Sequence, residues 1–321
     1  MTEFIKNTAI EIGFDACGIA KAEFLEEDAV FLKQWLAEGN HGEMSYLERN
    51  FENRTDPRII VEGCKSVVVT LLNYATDYRQ NEHAPKVSKY AYSKLDYHTV
   101  IKDKLLQLET KIIEKYGEDC FNKDRQHRFV DSAPVLERRW AQRAGLGWIG
   151  KNKMLISPRL GSYVFIGVLM INKDLEYDSP TKDRCGTCTK CIDACPTNAI
   201  TANRGIDARK CISYQTIEKK GEISPEIRPK LSGWMYGCDI CNDVCPWNRV
   251  RARPNAHVQL TVLDEVISWN AADWANLTQP EFKRIFKFSA MRRAGFSKLK
   301  QNMEILMLPK SAGGLQPFDG G

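Results

Sequence analysis

Cys185-Gly-Thr-Cys188-Thr-Lys-Cys191-Ile-Asp-Ala-Cys195-Pro196 is a C-x2-C-x2-C-x3-C-P run. In two-cluster electron carriers, thiolates at this spacing place the first three on one iron–sulfur cube and send the fourth to a second. Further on, Cys238-Asp-Ile-Cys241-Asn-Asp-Val-Cys245-Pro246 repeats the ending with one cysteine fewer, and the isolated Cys211 can supply it. Two 4Fe-4S clusters need eight thiolates, and eight of the 11 cysteines lie between Cys185 and Cys245. The expected division is Cys185, Cys188, Cys191 and Cys245 on one cube, with Cys195, Cys211, Cys238 and Cys241 on the other. A pair of four-cysteine zinc sites is the alternative. Zinc sites usually read as two separated C-x2-C pairs and give no reason for the x3-C-P endings. Cys17, Cys64 and Cys120 have no partner pattern and read as small buried apolar side chains.

Around this module the chain has room for more. Its 321 residues are 43% hydrophobic and 27% charged, which suits a globular protein with a real core. No apolar run approaches the ~20 residues of a membrane helix. The amino terminus, MTEFIKNTAIEIGFDACG, lacks the basic start and apolar stretch of a secretory signal. A cytoplasmic protein is expected, and in a reducing compartment crowded cysteines mean metal or redox chemistry rather than disulfides. Three regions follow: an α/β body over 1–178, a two-cluster module over 179–253 that Ser179-Pro180 opens, and a helical region over 254–321 with a loose end, GGLQPFDGG. Residues 65–72 (KSVVVTLL) and 163–171 (YVFIGVLMI) read as buried strands, while 97–116 and 133–144 read as helices. A body of 178 residues is too large for a bare electron carrier, so it is expected to hold the reacting cofactor or substrate.

Several motifs in the body compete for attention. Gly145-Leu-Gly147-Trp-Ile-Gly150-Lys151-Asn152 matches G-x-G-x-x-G, but a helix precedes it where a phosphate loop requires a strand. Asn152 also lacks the hydroxyl that ligates magnesium, so a glycine-rich turn near some other large ligand is the better reading. Asp131, in Phe129-Val130-Asp131-Ser132-Ala133-Pro134, is a general-acid candidate whose plainer role is a helix cap. His98, in Asp96-Tyr97-His98, reads as a packed or surface histidine. Arg54, in Asn53-Arg54-Thr55-Asp56-Pro57-Arg58, can clamp a carboxylate, amide or phosphate, or sit in a solvated turn.

Taken together the segments resemble the epoxyqueuosine reductase family. They are GFDACGIA, GEMSYLERNFENRTDPR, KYAYSKLDYH, VDSAPVLERRWAQRAGLGWIGKN, both cysteine runs, CISYQTIE, GCDICNDVCPWNR and FKRIFKFSAMRR, in one order over almost the whole length. The resemblance implies an α/β (α+β) fold: a nitroreductase-like cobalamin-binding body, an inserted ferredoxin-like module with two 4Fe-4S clusters, and a short helical C-terminal region. It implies cobalamin cycling between cob(II)alamin and cob(I)alamin, and reduction of epoxyqueuosine to queuosine at the wobble position of transfer RNA, the oxygen leaving as water. Asp131 matches the family's proton donor, and a raised pKa is expected if it acts near neutral pH. Corrin contacts are implied for Arg54, Tyr97, His98, Asp131, Leu155, Ile166 and Ser213. Asp96-Tyr97-His98-Thr-Val-Ile101 departs from D-x-H-x-x-G at Ile101, so no histidine ligand to cobalt is expected.

Charge adds a test of the RNA assignment. The chain carries a net +5, and residues 247–301 hold ten Lys/Arg against four Asp/Glu, a local +6 suited to phosphate contacts. A solvated basic helix face is the bland alternative. Trp234, Tyr236 and Trp247 are candidates to line the path of an extruded base. Many family members continue into HEAT-like repeats where this chain stops, which puts part of the RNA grip in question. An external low-potential electron donor and a monomer are expected, with no membrane partner. Two other functions stay open on the residues alone: a corrinoid reductase of small molecules, like the reductive dehalogenases, and a non-enzymatic electron-transfer subunit.

Overall fold

The computed structural model describes residues 1–123, 125–201 and 205–307, so the GGLQPFDGG end lies outside the described residues. Its centre is the two apolar runs. Strands β2 (Ser66–Asn73) and β4 (Val164–Ile171) pair antiparallel, Ser66 facing Ile171 and Asn73 facing Val164. Strand β1 (Ala16–Lys21) joins the free edge of β2 and β3 (Arg128–Phe129) that of β4, both antiparallel, giving the order β1-β2-β4-β3.

Strand residues alternate between two apolar layers, as the pleat requires. Val68, Leu72, Leu169 and Ile171 pack with Ile5 of α1 (Thr2–Glu11) and Ile101 and Leu105 of α2 (Tyr97–Tyr116). Val67, Val69, Val168 and Met170 pack with Trp140 and Ala141 of α3 (Glu137–Arg143). Helices therefore cover both faces, which is why neither strand shows polar alternation and every residue of β2 is buried.

Helix α2 starts where Asp96 accepts the His98 backbone N–H at 3.0 Å. Its buried stripe is Val100, Ile101, Leu105, Leu108 and Ile112. Helix α3 begins four residues later than the sequence suggests, after Leu136 rather than at Ala133. Pro134 disfavours the helical conformation at Ala133, and Asp131 is bent into the left-handed region. The glycine-rich stretch forms a hairpin, Trp148–Ile149 against Leu155–Ile156. A Cβ on Gly147 would lie 2.3 Å from the Ile156 carbonyl, so only glycine fits there.

The cysteine module repeats one local fold. Helices Lys190–Asp193 and Ile240–Asp243 pack on each other, and each is followed by a cysteine whose N–H turns back on the helix: Cys195 on Ile192 O and Cys245 on Asn242 O, both at 3.1 Å. The module is fastened to the body. Strand Trp234–Tyr236 runs parallel to Lys86–Val87, Ser88 Oγ donates to Asp239 Oδ1 at 2.6 Å, and Lys89 Nζ meets Asp243 Oδ1 at 2.5 Å. The C-terminal helices share one core with both parts. Phe282, Phe286, Met291 and Met303 pack with Val87, Tyr92, Met235 and Tyr236. Among the described residues no helix is long and apolar enough to cross a membrane.

Candidate active site

Three side chains meet at the loop before α3. Tyr97 OH donates to Asp131 Oδ2 at 3.1 Å, and His98 Nε2 lies 3.3 Å from the same oxygen. His98 Nδ1 is 2.6 Å from Asp96 Oδ1. The Tyr97 ring stacks between Phe165 of β4 and the His98 ring, which fixes both donors. Burial opposes a charge on His98, but hydrogen bonds to Asp131 and Asp96 outweigh it and push its pKa up to about 9. The ring is therefore an imidazolium at neutral pH and donates to both carboxylates.

Asp131 departs from both expectations. It caps no helix: its φ is 52°, and its backbone N–H donates to Glu137 Oε1. Nor is its carboxyl raised in the protein itself. Burial does disfavour the charge, but His98, Tyr97 and the more distant Arg293 prevail and hold it below the usual carboxylate range. Its side chain is 55% exposed, so the carboxylate that Tyr97 and His98 hold is open to a ligand.

The other predicted positions lie on several different elements. Arg54 is buried and donates to Tyr46 O at 3.0 Å, while its Nε has no hydrogen-bond partner. The Tyr46 phenol is raised by burial first and then by Glu218, with Arg293, Asp131 and Arg54 also within its electrostatic reach. One phenol thus links Arg54 to the Asp131 loop. Leu155 is buried and Ile166 half-buried in the apolar layer beneath α3. Ser213 lies on the cluster module, in helix Ile212–Ile217, with its N–H on the Cys211 sulfur. Glu137, Tyr46, Glu218 and Arg293 do not stand out in the sequence. All four lie in the segments that carry the family resemblance, but no spacing rule connects them to Asp131.

The eight cysteines influence one another mostly within two sets. Burial raises Cys191, and its next influence is Cys185, with Cys245 and Cys188 also near. Cys245 likewise feels Cys185 and Cys188 after burial and two backbone N–H groups. Cys238, raised by burial, feels Cys211 and Cys195; Cys241 feels Cys238 and Cys211 and, across the sets, Cys191. Backbone and side-chain donors approach the sulfurs: Trp148 Nε1 reaches Cys185 Sγ at 3.4 Å, and the Ala199 N–H reaches Cys195 Sγ at 3.3 Å. The hairpin clasps this loop, since Lys151 Nζ donates to the carbonyls of Gly186 at 2.8 Å and Cys188 at 2.9 Å. The glycine-rich turn therefore serves the cysteine module. Cys64 and Cys120 are buried thiols and Cys17 is half-buried, and burial pushes Cys17 and Cys64 up to about 12. Trp234 and Tyr236 do not line a path: both are core residues, and Tyr236 OH donates to Ala290 O at 2.8 Å. Trp247 is half-buried, edge-on to Trp148.

A double set of cysteines beside a carboxylate held by an imidazolium defines an iron–sulfur oxidoreductase. The comparisons narrow it. A family model for a 4Fe-4S double cluster binding domain matches residues 184–248, which hold all eight cysteines. A second model, "Epoxyqueuosine reductase QueG, DUF1730", matches 54–132, from Arg54 past Asp131. An epoxyqueuosine reductase from Cellulophaga algicola is 46% identical over 95% of this chain and 97% of its own length. The chain belongs to the epoxyqueuosine reductase family. A crystal structure of a family member with an epoxyqueuosine-modified tRNA-Tyr stem loop is 30% identical, with a TM-score of 0.83 over 95% of this chain and 80% of that one. The Bacillus subtilis enzyme, with its catalytic aspartate loop swung out of the active site, is 29% identical at a TM-score of 0.81, again over 95% and 80%.

Proposed function

We propose that this chain reduces epoxyqueuosine to queuosine at the wobble position of transfer RNA, with Asp131 at the reacting centre. The net reaction takes two electrons and two protons, breaks both C–O bonds of the epoxide, forms the ring double bond and releases water. Bound cobalamin supplies a reduced, nucleophilic metal, and two 4Fe-4S clusters supply low-potential electrons. The donor set suits the clusters: two sets of four thiols, Cys185, Cys188, Cys191 and Cys245 against Cys195, Cys211, Cys238 and Cys241, carry N–H groups aimed at sulfur. The unpartnered Nε of Arg54 needs an acceptor, which suits a large ligand edged with amides, and the half-buried Ile166 offers apolar surface.

The protein's own task is the proton. An opened epoxide leaves an alkoxide and then expels hydroxide, both poor leaving groups unless protonated, and a placed acid contributes about 10²–10⁴-fold. Asp131 and His98 act as one coupled acid. His98 stores the proton at neutral pH, and the shared hydrogen bond returns it to Asp131 as negative charge grows on the substrate oxygen. The carrying observation is the exposed Asp131 carboxylate, its Oδ2 held by both Tyr97 and His98. The Bacillus subtilis relative, whose aspartate loop is described as catalytic, supports the same position here. We place the enzyme in the cytoplasm as a monomer fed by an external low-potential donor. Reconstitution with iron, sulfide and cobalamin, followed by a reductant and an epoxyqueuosine-containing stem loop, tests this. The cyclopentene product is expected, and turnover of only a halogenated small molecule in a parallel reaction would overturn it.

A further inference from the structure

Glu137 is the first residue of α3, where a carboxylate ordinarily turns toward the free N–H groups of its own helix. Instead its Oε1 accepts the N–H of Asp131, six residues earlier. Asp131 sits at a φ of 52°, a left-handed conformation that disfavours non-glycine residues, though Asp tolerates it better than most. Two sets of bonds therefore oppose the loop's tendency to relax. The backbone is held by Glu137, and the side chain is held by Tyr97 and His98.

We propose that Glu137 is a positioning residue, the backbone latch that keeps the Asp131 loop seated against Tyr97 and His98. This rests on the reading of Asp131 as the proton donor. Glu137 is anchored by α3, whose Trp140 and Ala141 are wholly buried against the sheet, so the latch refers the loop to the most rigid part of the body. Burial and then the charge of Asp131 push the Glu137 carboxyl up to about 8, with Arg138 and His98 pulling the other way. At neutral pH it holds the loop as an uncharged acceptor and adds no second negative charge beside Asp131. A glutamine can do the same.

The test compares Glu137→Met, which keeps bulk and removes the acceptor, with Glu137→Gln, which keeps both. Hydrogen–deuterium exchange over residues 129–136 needs no loaded enzyme. Faster exchange is expected in Glu137→Met and wild-type protection in Glu137→Gln. In the reconstituted enzyme, Glu137→Met should lose about 10–100-fold in kcat, with KM for the stem loop within about twofold, because a reacting group displaced by ~1 Å can cost 10²-fold. Glu137→Gln should recover to within about threefold of wild type. Unchanged exchange and kcat in Glu137→Met, or loss of turnover in Glu137→Gln with the loop still protected, would overturn the latch. Full turnover in Asp131→Asn would instead remove the underlying reading.

Discussion

At Asp131 two demands conflict, since a proton donor must hold a proton and its neighbours favour the anion. Pairing with an imidazolium resolves the conflict, because the proton is kept one hydrogen bond away. Asp131→Asn removes the exchangeable carboxyl while preserving shape. It should keep iron and cobalamin content and lose at least about 10²-fold in turnover, read by product formation against the visible spectrum. The pair also sets a pH window. His98 has a folded pKa raised to about 9 against its ordinary value of 6.5, so its charged contacts contribute fully below about 6.5 and fade as pH rises through about 9. Wild-type turnover and melting temperature should both fall on that alkaline limb, and His98→Gln should flatten it. An alkaline limb unchanged in His98→Gln would assign it elsewhere. The sequence marks Asp131 and His98 as candidates but not their mutual contact. One lies at the start of a helix and the other in a loop 33 residues on, just after β3, and only the packing of α2 beside β3 and β4 brings them together.

Among the elements, those that bury apolar surface are the legible ones. The runs at 65–72 and 163–171 are β2 and β4, and the periodic stretch from Tyr97 is α2 from end to end. Strand order is not legible, because two continuously apolar strands covered on both faces carry no pattern that marks a partner or direction. The start of α3 escapes a reading of composition because an X-Pro restriction and a left-handed aspartate act locally against helix-forming residues. Trp234 and Tyr236 read in the sequence as candidates to line the path of a base, since a three-residue strand is too short to show that both are buried. The cysteine runs are the clearest signal, as their spacing is dictated by a rigid inorganic ligand rather than by packing. Cys211 is the exception that spacing alone can only nominate. It stands just before helix Ile212–Ile217, its thiol raised by burial with Cys195 nearby. Cys211→Ala should remove about half of the bound iron if each cube needs all four thiolates. Full iron and acid-labile sulfide in the purified variant would show that the fourth ligand comes from another residue.

For the whole molecule, the excess of positive charge lies in residues 247–301 and is largely exposed. Arg249, Arg251, Arg253, Lys283, Arg284, Lys287 and Arg292 are exposed and in no ion pair among the described residues. Arg293, also exposed, is paired with Glu218, and Lys298 and Lys300 donate to Gly221 O and Ala275 O. The distinction matters for RNA, because a basic side chain releases counterions only if it is free to meet a phosphate. The cluster Arg249, Arg251 and Arg253 follows directly on Cys245 and so borders the module that delivers electrons. Replacing these three arginines by alanine should weaken stem-loop binding at all sequences alike. It should also lower the slope of log affinity against log salt by about 0.9 for each phosphate that the protein no longer neutralises. Turnover at saturating RNA should change little, since none of the three touches Asp131, Tyr97 or His98. Binding and salt slope that match wild type would make this face ordinary solvated charge and move the RNA contacts to the rim around Arg293 and Glu218.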